Sequence, residues 1–192
     1  MQHTLITNYH LSATLPNYKD VAEFCKVPKQ GVFYFDNTYR PIPLEQLYIG
    51  ITETKGIKKL LLINEITYNK VIERLNQGKQ ILVFVHSRKE TLRTANMLIE
   101  TAMNRKESNK FILSEIKHKE FNEILNSDIQ NNILKDKSLL NLFKHGIGIH
   151  HAGMHRDDKE LVEEYFNNNY LNIIISTATL AWGVNLPAHI IH

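Results

Sequence analysis

Ile81-Leu82-Val83-Phe84-Val85-His86-Ser87-Arg88-Lys89-Glu90 is the stretch on which the fold turns. Its first five residues are apolar without alternation, the pattern of a strand covered on both faces inside a parallel sheet. The polar residues after it open a helix. Ser87 and Glu90 have the spacing of a capping box, in which Ser87 accepts from the amide of Glu90 and the carboxylate reaches back. The same helix start has free amides and a partial positive charge, so with Arg88 beside it phosphate binding is the rival reading.

Similar runs lie on either side. Ile173-Ile174-Ile175 is a second buried strand, Ile147-Gly148-Ile149 a shorter third, and Val32-Phe33-Tyr34-Phe35 a fourth. Helical periods fill the gaps. Tyr68, Val71, Ile72 and Leu75 recur at i, i+3, i+4, i+7 with Gly78 as a stop, and Ala95, Leu98, Ile99 and Ala102 repeat the spacing. A third helix after His155 packs Leu161, Val162, Tyr165 and Phe166, leaving Asp157, Asp158, Glu160, Glu163 and Glu164 as a mostly solvated face. Strands alternating with helices give an α/β fold with a largely parallel sheet. Arg40-Pro41-Ile42-Pro43 forbids regular helix and marks an extended connection, the candidate domain boundary. Residues 104–141 are polar and Asn-rich, which reads as a surface insertion of short helices.

Composition narrows the class. With 43% hydrophobic and 22% charged residues among 192, the chain has the makeup of a folded globular protein and not of a disordered one. Lys and Arg number 23 against 20 Asp and Glu, so a nucleic-acid partner has to be argued from local sites, not from the net charge of +3. Cys25 is the single cysteine, which excludes an internal disulfide or a cysteine-based zinc site and fits a reducing compartment; in its helix-like stretch a half-buried thiol is expected. Apolar runs stay far short of the roughly 20 residues that span a bilayer, and the amino terminus lacks the pattern of a secretory signal. The expectation is a soluble intracellular protein without a membrane partner.

Ligands of open α/β sheets gather beyond the carboxyl ends of the strands. There the sequence puts Ser12-Ala13-Thr14, His86-Ser87-Arg88, His150-His151-Ala152-Gly153 and Ser176-Thr177-Ala178-Thr179. The last string is either a turn whose hydroxyls bond local backbone or a row of donors for a sugar-phosphate chain. Gly183 and Asn185 permit a ligand's close approach or a tight turn before Pro187. Histidines 145, 150, 151 and 155 have neither a His-Glu-x-x-His helix nor a cysteine partner, so no metal site is assigned. No P-loop occurs, and Gly146, Gly148 and Gly153 miss the dinucleotide spacing.

Several strings also resemble a known family. Leu11-Ser12-Ala13-Thr14-Leu15-Pro16-Asn17-Tyr18, Arg40-Pro41-Ile42-Pro43-Leu44-Glu45-Gln46, Phe84-Val85-His86-Ser87-Arg88-Lys89-Glu90-Thr91, His150-His151-Ala152-Gly153-Met154 and the run from Ser176 through Thr177, Thr179, Trp182, Gly183 and Asn185 to His189 are similar to superfamily-two DExH RNA helicases of the Ski-like branch. Its spliceosomal members are the nearer likeness, and its signal-cointegrator members remain in contention.

The resemblance implies an ATP-dependent RNA helicase built from two RecA-like lobes. Residues 1–40 would end lobe one, and 41–192 would form most of lobe two, a RecA-like parallel sheet flanked by helices. Ser12, Ala13 and Thr14 would couple nucleotide state to unwinding. His86, Ser87, Arg88, His151, Gly153, Thr177 and Thr179 would bind RNA, and Gly183 and Asn185 would face the nucleotide. ATP and Mg²⁺ would act in the full-length enzyme. The P-loop and the acidic Mg²⁺ motif are expected upstream of Met1 and the arginine-bearing motif beyond His192, so this stretch alone binds neither completely and is expected to be inactive. Implied partners are RNA, the other lobe, downstream helicase domains and spliceosomal proteins. The implied location is the nucleus and the implied task is unwinding an snRNA duplex during spliceosome activation. The rival reading is a noncatalytic RNA- or protein-binding module derived from a helicase lobe.

Overall fold

A computed structural model of the chain describes residues 10–12, 15–41, 43–112, 114–178, 180, 186, 188 and 190–191. The chain divides into two compact units, Met1–Gly50 and Ile51–His192.

Among its described residues the first unit has one short helix, α1 (Tyr18–Phe24), and two 3-10 turns, Lys29–Gly31 and Asn37–Tyr39. Two sequence expectations fail in it. The apolar run Val32–Phe35 forms no strand, and Phe33 is 75% exposed. Strands need a ladder partner for their amides and carbonyls, and the described residues of this unit contain none. Tyr34 instead stacks on Tyr18, ring centroids 4.6 Å apart. Cys25 is exposed and not half-buried, because it caps α1 beyond the last helical turn.

The second unit carries the sheet. Its elements are α2 (Gly56–Leu75), β1 (Ile81–Val85), α3 (Arg88–Asn104), α4 (Glu115–Gln130), α5 (Leu139–Lys144), β2 (Ile147–His150), α6 (Arg156–Asn167), β3 (Ile173–Thr177) and β4 (Ile190–Ile191). All strand pairs are parallel, in the order β2-β3-β1-β4. Successive side chains of a strand point to opposite faces, so burial of Ile81, Leu82 and Val83 in a row means that both faces of β1 are covered. The fold is α/β, a RecA-like parallel sheet packed with helices.

The helices form for the reasons their periods suggest. Tyr68, Val71 and Leu75 of α2 are buried, and Gly78 follows at φ +70°, closing a turn by donating its N–H to the Leu75 carbonyl at 2.8 Å. Ala95, Leu98, Ile99 and Ala102 form the buried stripe of α3. Residues 104–141 contain a 3-10 turn and the 16-residue α4, longer than the short helices that composition suggests. Phe111, Phe121, Leu125 and Leu134 from this stretch enter the core, so it is more than a surface layer.

The acidic face of α6 also departs from expectation. Asp158 is 1% exposed: its Oδ1 accepts from the amide of Lys135 at 2.8 Å and its Oδ2 from that of Asp136 at 3.1 Å. Glu163 bonds His150. The face is mostly solvated as its sequence suggests, but Asp158 is buried and Glu163 half-buried, and both order neighbouring backbone or side chains.

Candidate nucleic-acid interface

Register decides which polar residues meet. Val85 pairs with Thr177, and His150 with Ser176. Parallel strands in that alignment end together, so His86-Ser87-Arg88 after β1, His151-Ala152-Gly153 after β2 and Thr177 at the end of β3 share one edge of the sheet. His86, Ser87, Arg88 and Gly153 are exposed, with His151 and Thr177 half-buried. Ala13, Thr14, Thr179, Gly183 and Asn185 lie outside the described residues, and Ser12 is an exposed residue of the first unit.

Ser87 is the N-cap of α3 and its hydroxyl accepts from the Glu90 amide at 3.3 Å. Only that half of the capping box forms, and the Glu90 carboxylate pairs with Arg93 at 2.8 Å. Arg88 extends from the same helix start to the turn after β2. A Cβ carried by Gly153 would lie 2.8 Å from its Nη1 and 3.3 Å from its Cζ, so the guanidinium uses the space that a missing side chain leaves open.

His151 belongs to the same turn. Its Nδ1 accepts from the Gly153 amide at 3.2 Å, which places the ring proton of the neutral imidazole on Nε2. Burial, then the cation of Arg88, then His150 hold its pKa below the usual imidazole value. His151 is therefore a neutral donor, and Arg88 supplies the positive charge. That pairing suits a phosphate oxygen beside a sugar hydroxyl.

An open groove of about 840 Å³ begins at this edge, with Arg88, Lys89, Arg93, Asn96, Asp136 and His151 among its walls. Its three cations are partly balanced by Asp136 and Glu100. The groove therefore has a basic end and no uniform positive field.

Adjacent histidines divide the work. His150 is 7% exposed, and its Nε2 meets a Glu163 carboxylate oxygen at 2.9 Å. A carboxylate only accepts, so Nε2 carries the proton and Nδ1 is left without a hydrogen-bond partner among the described residues. Burial is the main cause of its lowered pKa, with Glu163 opposing. Ser176 is buried as well, and its hydroxyl lies 2.9 Å from the carbonyls of both His150 and Thr177. It faces protein, not a ligand. Strand-tip position groups His150 with His151 and Ser176 with Thr177; what separates the two histidines is that His150 is the last residue of the fully covered β2 and His151 follows it. Another histidine of this region, His155, uses Nδ1 to accept from the amide of Asp157 at the start of α6. No helix among the described residues is long and apolar enough to cross a membrane.

Known proteins share this sequence at length. The chain is 52% identical over 179 residues to "Activating signal cointegrator 1 complex subunit 3-like" of Dictyostelium discoideum. It is 48% identical over 180 residues to "U5 small nuclear ribonucleoprotein 200 kDa helicase" of Homo sapiens, and 46% identical over 187 residues to "DExH-box ATP-dependent RNA helicase DExH14" of Arabidopsis thaliana. The alignments take in 93%, 93% and 97% of this chain and 8% of each relative, so the chain spans only a small part of those proteins. No family model matches it.

Proposed function

The chain belongs to the Ski-like DExH RNA helicases, and from that premise we propose that it is a piece of an ATP-driven RNA helicase whose second RecA-like lobe grips one RNA strand. The observation that carries this reading is the shared edge of three parallel strand tips, with Arg88 lodged against Gly153. Arg88 neutralises a phosphate there, while His151 and Thr177 donate to neighbouring sugar-phosphate oxygens. His86, Ser87 and Thr179 extend the contact.

In this reading residues 1–40 end lobe one and 41–192 make up most of lobe two. Ser12, Ala13 and Thr14 couple nucleotide state to strand movement, and Gly183 and Asn185 face an ATP–Mg²⁺ complex held mainly by the other lobe. Phosphoryl transfer depends on positioning and charge stabilisation from both sides, so the 192-residue chain alone turns over no ATP. The proposed task is unwinding an snRNA duplex during spliceosome activation, in the nucleus, with spliceosomal proteins as partners; relatives named as a U5 small nuclear ribonucleoprotein helicase and as a pre-mRNA-splicing factor support it.

The test is RNA crosslinking and salt-dependent binding by the full-length protein that carries this segment. Arg88→Gln is expected to weaken binding and lower the salt slope by about 1, the signature of one lost phosphate contact. Thr177→Ala is expected to reduce crosslinking without changing that slope. Wild-type contacts in both variants would overturn the assignment.

A further inference from the structure

Among the described residues β2 is an edge strand of the sheet, with β3 as its one ladder neighbour. A strand tip with support from one side is easier to displace than one held between two, yet this tip leads directly into the His151–Gly153 turn. Two side chains add restraint at this tip. Ser176 of β3 is fully buried, and its single hydroxyl proton is shared between two carbonyls at 2.9 Å, that of His150 across the register pair and that of Thr177. Glu163 of α6 holds the His150 ring at 2.9 Å. Three elements thus converge on the residue that immediately precedes His151.

We propose that Glu163 and Ser176 are positioning residues: together they clamp His150, and through it they hold the His151–Gly153 turn where Arg88 can lie across it and the edge can grip RNA. The inference rests on the RNA-binding reading of that edge. Neither residue touches RNA. Each acts on one face of His150, Ser176 through the main chain and Glu163 through the imidazole. The neutral ring has a single N–H, already given to Glu163, and its Nδ1 has no other partner among the described residues. Removing the carboxylate therefore leaves the ring with no hydrogen bond to fix its orientation.

The experiment measures RNA affinity and RNA-stimulated ATPase of the full-length protein with Glu163→Ala, Glu163→Gln and Ser176→Ala, using Arg88→Gln as the reference. Glu163→Ala and Ser176→Ala are expected to weaken RNA binding about tenfold, the size of one buried hydrogen bond lost. The loss should show in the half-saturating RNA concentration and not in the rate at saturation. Glu163→Gln, whose amide oxygen still accepts from Nε2, should stay within about twofold of wild type. The clamp is refuted if glutamine is as damaging as alanine, or if both alanine variants bind normally while Arg88→Gln does not. If Arg88→Gln also binds normally, the RNA reading falls and the clamp with it. Should Glu163→Ala fail to fold, the near-isosteric Ser176→Ala decides alone, and wild-type affinity in it refutes the proposal.

Discussion

The guanidinium of Arg88 fills the space in which a side chain at residue 153 would begin, with Nη1 at 2.8 Å from the position a Cβ would take. Gly153 is exposed and lies on the surface, so nothing in the core depends on that void. The atom in the way is the far end of a flexible side chain, which can swing aside at little cost. Gly153→Ala should therefore change stability by less than about 0.5 kcal/mol in denaturant titration. It should nonetheless weaken RNA binding as Arg88→Gln does, because the charge has been moved. A variant that binds RNA normally would show that Arg88 needs no seat on this turn.

Three histidines make the fold sensitive to mild acid. Burial is the largest cause of the lowered pKa in His145, His150 and His151, each against an ordinary value of 6.5. The unfolded chain takes up protons first as pH falls through 6.5, so the stability these groups contribute is complete above that value and is lost on the way down to their lowered folded values. The carboxylates with resolved shifts, Asp36, Glu65 and Glu107, lie below 3.8, 4.5 and 4.5 and leave this window to the histidines. Melting temperatures measured from pH 7.5 to 5 should fall, and His145→Gln should flatten the decline. A midpoint that stays level or rises would contradict the assignment.

Much of this fold can be read from runs of one residue class. Ile81–Val85 and Ile173–Ile175 are unbroken apolar runs because both faces of an interior parallel strand are covered, and their tips could be placed at one edge for the same reason. Val32–Phe35 has an equally apolar run, but strand formation depends on a partner that local sequence does not disclose. On α6 the pattern was present and misread. Asp158, Val162 and Tyr165 fall at i, i+4 and i+7, so an acid at a core position was itself the sign of a buried carboxylate with hydrogen-bond donors nearby. Within the site, residue type separated His86 and Arg88 from the core, but the split between a buried His150 and a half-buried His151 depends on where β2 ends.

Asp158 allows a direct measure of that misreading. Its two oxygens order the backbone of Lys135 and Asp136, and it sits in the first turn of α6, where the helix dipole favours a negative charge. Asp158→Ala orphans two amides and should cost roughly 2–3 kcal/mol. The neighbouring Asp157→Ala removes a partly exposed pairing to Lys135 and should cost less than about 1 kcal/mol. Urea denaturation of the two variants separates the roles, and equal losses would mean that burial of Asp158 is energetically idle.

Gly146 sets the opposite condition from Gly153 at the same nominal distance. Its Cβ would also meet an atom at 2.8 Å, but that atom is the backbone oxygen of Phe111, which already accepts from the Asn172 side chain at 2.7 Å. Backbone bonded on that side cannot swing away as a guanidinium can. Gly146 also has φ +69°, a region in which any other residue but asparagine or aspartate is strained. Its carbonyl accepts from the amides of Asn172 and Ile173, so displacement here would disturb the entry to β3 as well as to β2. Gly146→Ala should therefore cost about 2–4 kcal/mol, and a melting curve lowered by that variant but not by Gly153→Ala would separate a glycine required by the fold from one required by its ligand. Equal curves would mean that the clash with Phe111 is relieved as cheaply as the clash with Arg88.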